Sequence, residues 1–187
     1  NIALQSGSGG SALTAVRAWR SDFPTSDEAQ RFELQILLAL NRVAETSTVL
    51  KSLVQGLKGQ EQINAINSVP NTYANVTDKT EALRAVRSAL SGLKGSTSTA
   101  VAVHTSLGRM ALAAGDLDAA VQEAQAAHRL DRTADWPALL ALGLLEQGQG
   151  AAEALVISHA KATAASQAQS HTVALASSSD FGRVPLP

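Results

Sequence analysis

The chain has 187 residues, of which 45% are hydrophobic and 17% charged, a composition typical of one globular domain with a continuous core. Its 15 basic and 16 acidic residues give a formal net charge of −1, which excludes a large basic surface for a nucleic-acid backbone. The absence of cysteine excludes disulfides and thiolate metal sites, and no apolar run is long enough to span a membrane.

The apolar residues are mostly alanine, leucine and valine, whereas aromatic residues make up only 3% of the chain. Alanine and leucine are among the strongest helix formers, and the β-branched and aromatic residues that favour strands are scattered. The composition therefore predicts an all-α fold in which small side chains pack closely. Residues 1–10 end in a run of Gly and Ser and are interpreted as an N-terminal extension or linker.

From residue 11 onward, apolar residues recur with the helical period, and short Gly, Asn, Asp, Pro or Ser turns separate the periodic stretches. Start signals support this interpretation, because Ser26 and Asp78 are good N-caps and Pro137 suits a first helical turn. Gly115-Asp116 indicates a tight turn between two helices. In chain order, the predicted helices span 11–22, 27–41, 43–57, 60–68, 78–93, 97–114, 116–130, 135–147 and 150–168.

An internal repeat is clearest in the C-terminal half of the chain. Leu107-Gly108 is followed by Gly115 in the next turn and by alanines on the following helix. Leu142-Gly143 and Gly150 repeat this spacing 35 residues later, and an earlier, more degenerate copy has Asn41 in the turn. The glycines at 108 and 143 are expected to let the second helix of each pair cross closely, and Gly115 and Asn41 to adopt the positive φ of a tight turn.

This pattern resembles the tetratricopeptide repeat, whose signature combines Leu-Gly, a small turn residue and small or apolar residues on a second helix. The resemblance covers about residues 11–165, with repeats beginning near 27, 61, 101 and 136. It implies a right-handed α-solenoid of about four antiparallel helix pairs over residues 11–168, followed by a C-terminal tail over 169–187. The sequence departs from the family most in 61–100, which carries an insertion around Pro70-Asn71.

The sequence contains no nucleophile elbow, phosphate loop, zinc-protease motif or dinucleotide fingerprint, so a protein without catalytic activity, cofactor or metal is predicted. The four histidines have no second ligand at metal spacing, and His104 and His159 fall at helix-packing positions of the repeat. Trp19 lies on a helix face with Val16, and Trp136 opens a repeat, so both tryptophans are also interpreted as packing residues.

The resemblance further implies that the first helix of each pair lines a concave, partner-binding groove. The positions of this groove are mixed in character, with two arginines beside leucines. They lack the basic and asparagine residues with which chaperone-binding relatives hold a terminal carboxylate, and they suit instead an extended or helical peptide with apolar anchors and an acidic group. The predicted partner-binding residues are Arg31, Gln35, Leu38, Thr105, Arg109, Leu112, Leu140 and Leu144.

The favoured hypothesis is a protein–protein interaction scaffold without enzymatic activity that binds a protein or peptide, and not nucleic acid. Its Ala-, Gln- and Leu-rich degenerate repeats resemble those of tetratricopeptide proteins from bacterial cell envelopes, some of them lipoproteins, so a periplasmic or envelope location is favoured over the cytoplasm. The alternative hypothesis is a structural segment of a longer repeat protein that stacks end to end, forming a homo-oligomer through its end faces or tail.

The tail is expected to contribute to such contacts. Residues 165–187 are rich in Ser, Ala and Gln, and Ser170–Ala176 is predicted either to extend the last helix or to pair with a neighbour. Val184–Pro187 must be extended, since prolines at 185 and 187 prevent a regular helix. We predict that the tail packs on apolar repeat surface, in its own groove near Leu140 and Leu144 or on another chain.

Overall fold

The computed structural model describes residues 8–93 and 95–179, with side chains described as far as Ser170. Within these residues all regular structure is helical, which confirms the predicted all-α class. Two short 3₁₀ turns, Val43–Glu45 and Gly150–Ala152, each lead directly into an α-helix. The α-helices of the described residues are α1 (Gly9–Asp22), α2 (Asp27–Ala39), α3 (Thr46–Gly56), α4 (Gly59–Thr72), α5 (Lys79–Leu90), α6 (Thr97–Ala113), α7 (Leu117–Leu130), α8 (Asp135–Glu146) and α9 (Glu153–Ser179).

Several helices begin at side-chain caps. Ser26 Oγ, Asp78 Oδ1 and Asp116 Oδ1 each accept a hydrogen bond from the backbone N–H three residues ahead, at 3.2, 2.8 and 3.1 Å. Each cap satisfies an N–H that has no partner inside its helix. The negative charge of each carboxylate cap is also stabilised by the positive end of the helix dipole. Pro137 lies in the first turn of α8, so the predicted start signals at Ser26, Asp78 and Pro137 are confirmed.

Helix α4 is longer than predicted, because it continues through Pro70 to Thr72 instead of ending at residue 68. A proline inside a helix removes the N–H that would bond to the carbonyl four residues earlier, here that of Ile66. Ser106 Oγ, on α6, donates a hydrogen bond to this Ile66 oxygen at 2.7 Å. A neighbouring helix therefore satisfies the acceptor that Pro70 leaves free, and α4 does not have to end there.

Helix α9 also exceeds its predicted end at residue 168, since it runs to Ser179. Extension of the last helix was one of the two alternatives for Ser170–Ala176. The side chains of residues 165–170 are exposed, so this part of the predicted tail does not pack on apolar surface. Its Ala, Ser and Gln residues continue a helix readily but offer little apolar area to bury. Residues 180–187, with the extended segment predicted around Pro185, lie outside the described residues.

The helices pack on their neighbours in the chain and on the helix after the next. Most sequence neighbours pack on each other, among them α1 with α2, α6 with α7 and α8 with α9, and α3 packs on α5, α4 on α6, and α6 on α8. The core that joins them is made mainly of leucine, valine and alanine, with Tyr73 as its largest fully buried side chain. Tyr73 Oη donates to Thr46 Oγ1 at 2.7 Å, and Thr46 Oγ1 donates to the Val43 carbonyl at 2.6 Å. Burial raises the pKa of Tyr73 to about 12, although the bond to Thr46 acts in the opposite direction.

An ion-pair network holds α1 against α2 and against the 3₁₀ turn that follows α2. Glu33 is buried on α2, and its two carboxylate oxygens bond to Arg17 and Arg20 of α1. Arg17 also bonds to Glu45 Oε2 at 2.9 Å, and Glu45 in turn bonds to Arg42. Hydrogen bonds from Arg42 and then from Arg17 lower the pKa of Glu45. The buried carboxylate of Glu33 is therefore compensated by two guanidiniums, and α1 is fixed by charge as well as by apolar contact.

The turns confirm two predictions and correct a third. Asn41 and Gly115 have φ of 55° and 76°, the predicted left-handed conformation that closes a tight turn. In the last predicted repeat the corresponding residue is Gly148, with φ of 77°, and not Gly150. The structural spacing from Gly115 is therefore 33 residues and not 35, which makes the buried Ala141 the counterpart of Gly108.

The two repeat glycines consequently differ in their surroundings. A Cβ added to Gly108 would overlap Leu140 Cδ2 of α8 and lie 3.3 Å from Glu123 Cβ of α7, so close approach to α7 is confirmed there. A Cβ at Gly143 would lie 3.5 Å from Leu112 Cδ2, an ordinary contact. The predicted close helix crossing at Gly143 is wrong, because the turn at Gly148 moves the close position to Ala141.

Candidate functional site

Three adjoining cavities follow the seam between α2 and α4. The central one has a volume of about 110 Å³, and those toward the N- and C-terminal ends of α2 have about 330 and 410 Å³. Arg31 and Ser68 border both the central and the N-terminal cavity, while Gln35 and Thr72 border both the central and the C-terminal cavity. The three cavities therefore form one continuous depression, called here the α2–α4 groove.

The floor of the groove is apolar. Leu34 of α2 and Val69 of α4 line it from the two sides, and both are buried. Leu50 and Leu53 of α3 lie beneath them, because residues three apart on a helix share a face. Tyr73 closes the floor at the end of α4. Burying an apolar group of a ligand on such a surface is favourable, because it removes apolar area from water.

The rim of the groove is polar. The exposed side chains of Arg31 and Gln35 stand on the α2 side, opposite Ser68 and Thr72 on the α4 side. Arg31 Nε lies 3.8 Å from Asp27 Oδ2, a long contact between two side chains that are about half exposed. Because water screens such a pair, it holds the guanidinium weakly, and Arg31 is free to bond to a ligand carboxylate.

The two ends of the groove differ in charge. Asp27 and Glu61, from the first turns of α2 and α4, line the cavity at one end. Leu38, Asn41 and Asn75 line the cavity at the other end, which contains no charged residue. Of the residues predicted to bind a partner, Arg31, Gln35 and Leu38 thus lie together in the groove.

Arg109 lies on the other side of α4 from the groove. Its Nη1 donates to the Asn67 carbonyl at 3.3 Å and its Nη2 to Asn71 Oδ1 at 3.2 Å. The guanidinium carbon also lies 5.5 Å from the ring centroid of Trp136, whose side chain is half exposed and not fully packed as predicted. The two arginines predicted to act together therefore flank α4 separately, and Arg109 already has partners within the protein.

The remaining predicted positions are partly or fully inside the protein. Thr105, Leu140 and Leu144 have exposures of 1%, 4% and 0%, so a partner cannot reach these side chains in this conformation. Leu112 is half-buried beside Gly143. Helix α8 is apolar around most of its circumference, so its sequence does not distinguish inward from outward leucines.

Sequence reasoning missed the contribution of α3 and α4 to the groove. These helices supply the floor leucines and the polar rim, and α4 falls in the segment with the weakest repeat signal. One signal was available, because Asn64, Ser68 and Thr72 recur every four residues and predict a polar stripe along one face of a helix. That stripe lies along the groove.

Two of the three histidines with described side chains form hydrogen bonds to other segments of the chain. His104 Nδ1 bonds to Glu123 Oε2 at 2.8 Å, and His159 Nδ1 bonds to the Arg132 carbonyl at 3.1 Å. His128 is buried on α7, and burial, followed by the positive charges near it, lowers its pKa. In the part of the chain that the structure describes, no three His, Asp or Glu side chains come together as metal ligands would. His171 lies beyond the described side chains.

None of the described helices is both long enough and apolar enough to cross a membrane. Comparison with known protein families gives no match, and no curated protein matches the sequence. The α2–α4 groove combines an apolar floor, a polar rim and one weakly held arginine, which are features of a ligand-binding cleft.

Proposed function

We propose that the chain is a protein-interaction scaffold without enzymatic activity, and that its α2–α4 groove binds a segment of a partner protein. The observation that carries this proposal is the groove, whose buried Leu34 and Val69 lie beneath the exposed Arg31 and Gln35. An apolar floor supplies binding energy, and a few polar groups at the rim supply orientation, as in most ligand-binding clefts.

The proposal includes a right-handed α-solenoid of about four helix pairs, of the tetratricopeptide type. Contacts of most helices with the next, and of α3 with α5, α4 with α6 and α6 with α8, support this arrangement, since stacked helix pairs contact only their neighbours. Left-handed turn residues at Asn41, Gly115 and Gly148, each just beyond the first helix of a pair, also support it. In this assignment α2, α4, α6 and α8 are the first helices, and the groove lies between two of them.

The favoured ligand is a peptide segment with an aliphatic side chain and a neighbouring carboxylate. The central cavity, about 110 Å³, is large enough for one medium-sized aliphatic group above Leu50 and Leu53. Arg31 at its edge suits a carboxylate, whereas Asp27 and Glu61 at the nearer end disfavour a second acidic group there. Binding is favoured over catalysis because the central cavity presents aliphatic, hydroxyl and amide groups around a single cation.

The proposal is tested by selecting displayed random peptides on the whole chain and measuring their affinities for two variants. Ala65→Trp fills the groove from α4, and Ala100→Trp places the same bulk on α6, away from the groove. Selected peptides are expected to bind Ala65→Trp at least about tenfold more weakly and Ala100→Trp unchanged, since loss of one buried anchor typically costs more than 1 kcal/mol. Failure to select any peptide, or equal loss in both variants, would refute the proposal.

End-to-end self-association is a second candidate function. Exposed apolar residues near the two ends of the chain favour it. Leu139, Leu142 and Ile157 are about half exposed on α8 and α9. Between α1 and α2 an almost wholly apolar cleft of about 270 Å³ contains Trp19 and Phe32, whose ring centroids are 5.9 Å apart. Large exposed apolar surfaces commonly mark interaction sites.

Sedimentation over a dilution series tests this second candidate. Concentration-dependent association that Leu139→Glu abolishes is the expected result, because a charge in an apolar interface is costly. Arg129→Glu, an exposed change on α7, is the matched control and is expected to leave association unchanged. A monomer at all concentrations would exclude self-association.

A further inference from the structure

A second cleft, of about 320 Å³, lies on α6 between α5 and α7. It is separate from the α2–α4 groove, with which it shares no lining residue. Half of its ten lining residues are aliphatic, and Ala100, in the first turn of α6, is the smallest of these five. The aliphatic lining residues are Leu90, Leu93, Ala100, Val103 and Leu107.

One wall of this α5–α7 cleft carries an arginine. Arg87 lies in the last turn of α5 and lines the cleft with an exposed side chain. Among the described residues no carboxylate lies within ion-pair distance of it, in contrast to Arg17, Arg20 and Arg42. A guanidinium without a partner beside an aliphatic wall is complementary to a ligand that combines a carboxylate with a hydrocarbon group.

The acidic residue in the cleft does not cancel this charge. Glu123 Oε2, on α7, accepts a hydrogen bond from His104 Nδ1 at 2.8 Å, and the Glu123 side chain is only 17% exposed. This bond fixes the imidazole plane and directs the carboxylate toward α6. The negative charge therefore lies on the wall formed by α6 and α7, while the positive charge of Arg87 lies on the wall formed by α5.

We propose that the α5–α7 cleft binds an aliphatic carboxylate. The carboxylate pairs with Arg87, the hydrocarbon group packs on Leu90, Val103 and Leu107, and the ring of His104, held by Glu123, forms the opposite wall. The volume of about 320 Å³ is at the small end of the range for small-molecule sites. The chemistry is that of a short-chain or medium-chain fatty acid, and also that of an aliphatic residue at the carboxyl terminus of a peptide.

Titration calorimetry of the whole chain with sodium octanoate tests the proposal. Saturable binding of one octanoate per chain is expected, and octan-1-ol, which lacks the charge, is expected to bind at least about tenfold more weakly, since a paired charge contributes more than a neutral hydrogen bond. Arg87→Gln is expected to reduce octanoate affinity to that of octan-1-ol, and Arg87→Lys to recover part of it. Octanoate that binds no better than octan-1-ol overturns the proposal.

Two variants with the same added bulk show where the probe binds. Ala100→Trp fills the α5–α7 cleft and is expected to abolish octanoate binding, whereas Ala65→Trp fills only the α2–α4 groove and is expected to leave it unchanged. Thermal unfolding and circular dichroism establish that both variants are folded. If Ala65→Trp abolishes octanoate binding and Ala100→Trp does not, the assignment to this cleft is wrong.

The two sources of the ligand are distinguished by a pair of peptides. N-acetyl-Leu-Leu with a free carboxylate is compared with the same peptide as its carboxamide. Tighter binding of the free acid than of octanoate assigns the cleft to a peptide carboxyl terminus, and tighter binding of octanoate assigns it to a small acid. If neither carboxylate compound binds at millimolar concentration, the cleft does not bind this class of ligand.

Discussion

Replacing the two repeat glycines by alanine is expected to change stability in opposite directions. Gly108 and Gly143 both lie inside helices, so alanine contributes roughly 1 kcal/mol of helix propensity at each. At 108 the new methyl group would overlap Leu140 Cδ2 and lie 3.3 Å from Glu123 Cβ, and overpacking of this kind costs about 1–3 kcal/mol. At 143 its nearest contact, Leu112 Cδ2, is at an ordinary 3.5 Å.

The net expectation is that Gly108→Ala destabilises the protein by about 0–2 kcal/mol and Gly143→Ala stabilises it by up to about 1 kcal/mol. Urea unfolding followed by circular dichroism measures both, and an unchanged slope with denaturant indicates that only stability has changed. For a chain of this size, each kcal/mol shifts Tm by roughly 2–4 °C, so the two variants differ measurably.

Leu140→Val provides an internal control, because valine lacks the δ-methyl group that the new alanine would meet. The loss of stability caused by Gly108→Ala is expected to be smaller in the Leu140→Val background than in the parent. Such a difference would show that the two neighbouring sites are coupled. If Gly143→Ala destabilises as much as Gly108→Ala, the 35-residue register is correct and the turn-based register of 33 residues is refuted.

Three further predictions concern buried polar groups. Tyr73→Phe is expected to cost about 1 kcal/mol by removing the bond to Thr46. The pKa of Tyr73 in the folded protein, about 12, exceeds the ordinary tyrosine value of 10.0, so the parent loses stability as pH rises between these values. Melting measured as a function of pH should show that this loss is absent in Tyr73→Phe. The pKa of His128 is lowered in the folded protein, so as pH falls the unfolded chain binds a proton before the folded chain does. Stability that is present above pH 6.5 is therefore lost as pH falls below it. His128→Leu should reduce this loss when stability is measured in acid titrations. Ser106→Ala should cost about 1–3 kcal/mol by leaving the Ile66 carbonyl without a donor, and Pro70→Ala, which restores the N–H, should suppress that cost in urea unfolding of the double variant.

Local signals predicted helix starts well because each depends on one residue and its nearest backbone. Ser26, Asp78 and Asp116 cap their helices wherever the rest of the chain lies. The predicted end of α4 was wrong because it depends on a distant residue. Pro70 leaves the Ile66 carbonyl without a donor, and Ser106, forty residues after Ile66, donates to it. A contact at that separation leaves no local pattern in the sequence.

The predicted repeat register was wrong at Gly143, because the Leu-Gly dipeptide there does not have the structural role that it has at Leu107-Gly108. Leu142-Gly143 matches Leu107-Gly108 in letters, yet Leu142 is about half exposed whereas Leu107 is buried. The left-handed turn at Gly148 sets the register, since a residue with φ near 77° ends the helix at a defined point. A turn glycine is thus a more reliable marker of register here than a glycine inside a helix.

Three of the eight residues predicted to bind a partner line the candidate site, and all three lie on α2. Arg31, Gln35 and Leu38 lie on one face of α2, so periodicity along one helix indicates them. Thr105 and Leu144 occupy similar positions on α6 and α8 but are buried, because those two helices pack directly on each other. Whether two such helices pack together or leave a groove depends on the side chains of both helices. The periodicity of one helix alone does not contain this information.

The opening between α2 and α4 results from a mismatch in side-chain size. Where α6 meets α8, Gly108 provides the space that Leu140 fills, and the seam is closed. Where α2 meets α4, short side chains on α4, at Ala65 and Ser68, face long polar ones on α2 that remain exposed to solvent and do not fill the space. Filling it from within would require burying the guanidinium of Arg31 above leucines, which is unfavourable unless a carboxylate accompanies it. The groove therefore stays open in the free protein, and a ligand that supplies both the aliphatic group and the carboxylate removes both obstacles to closing it.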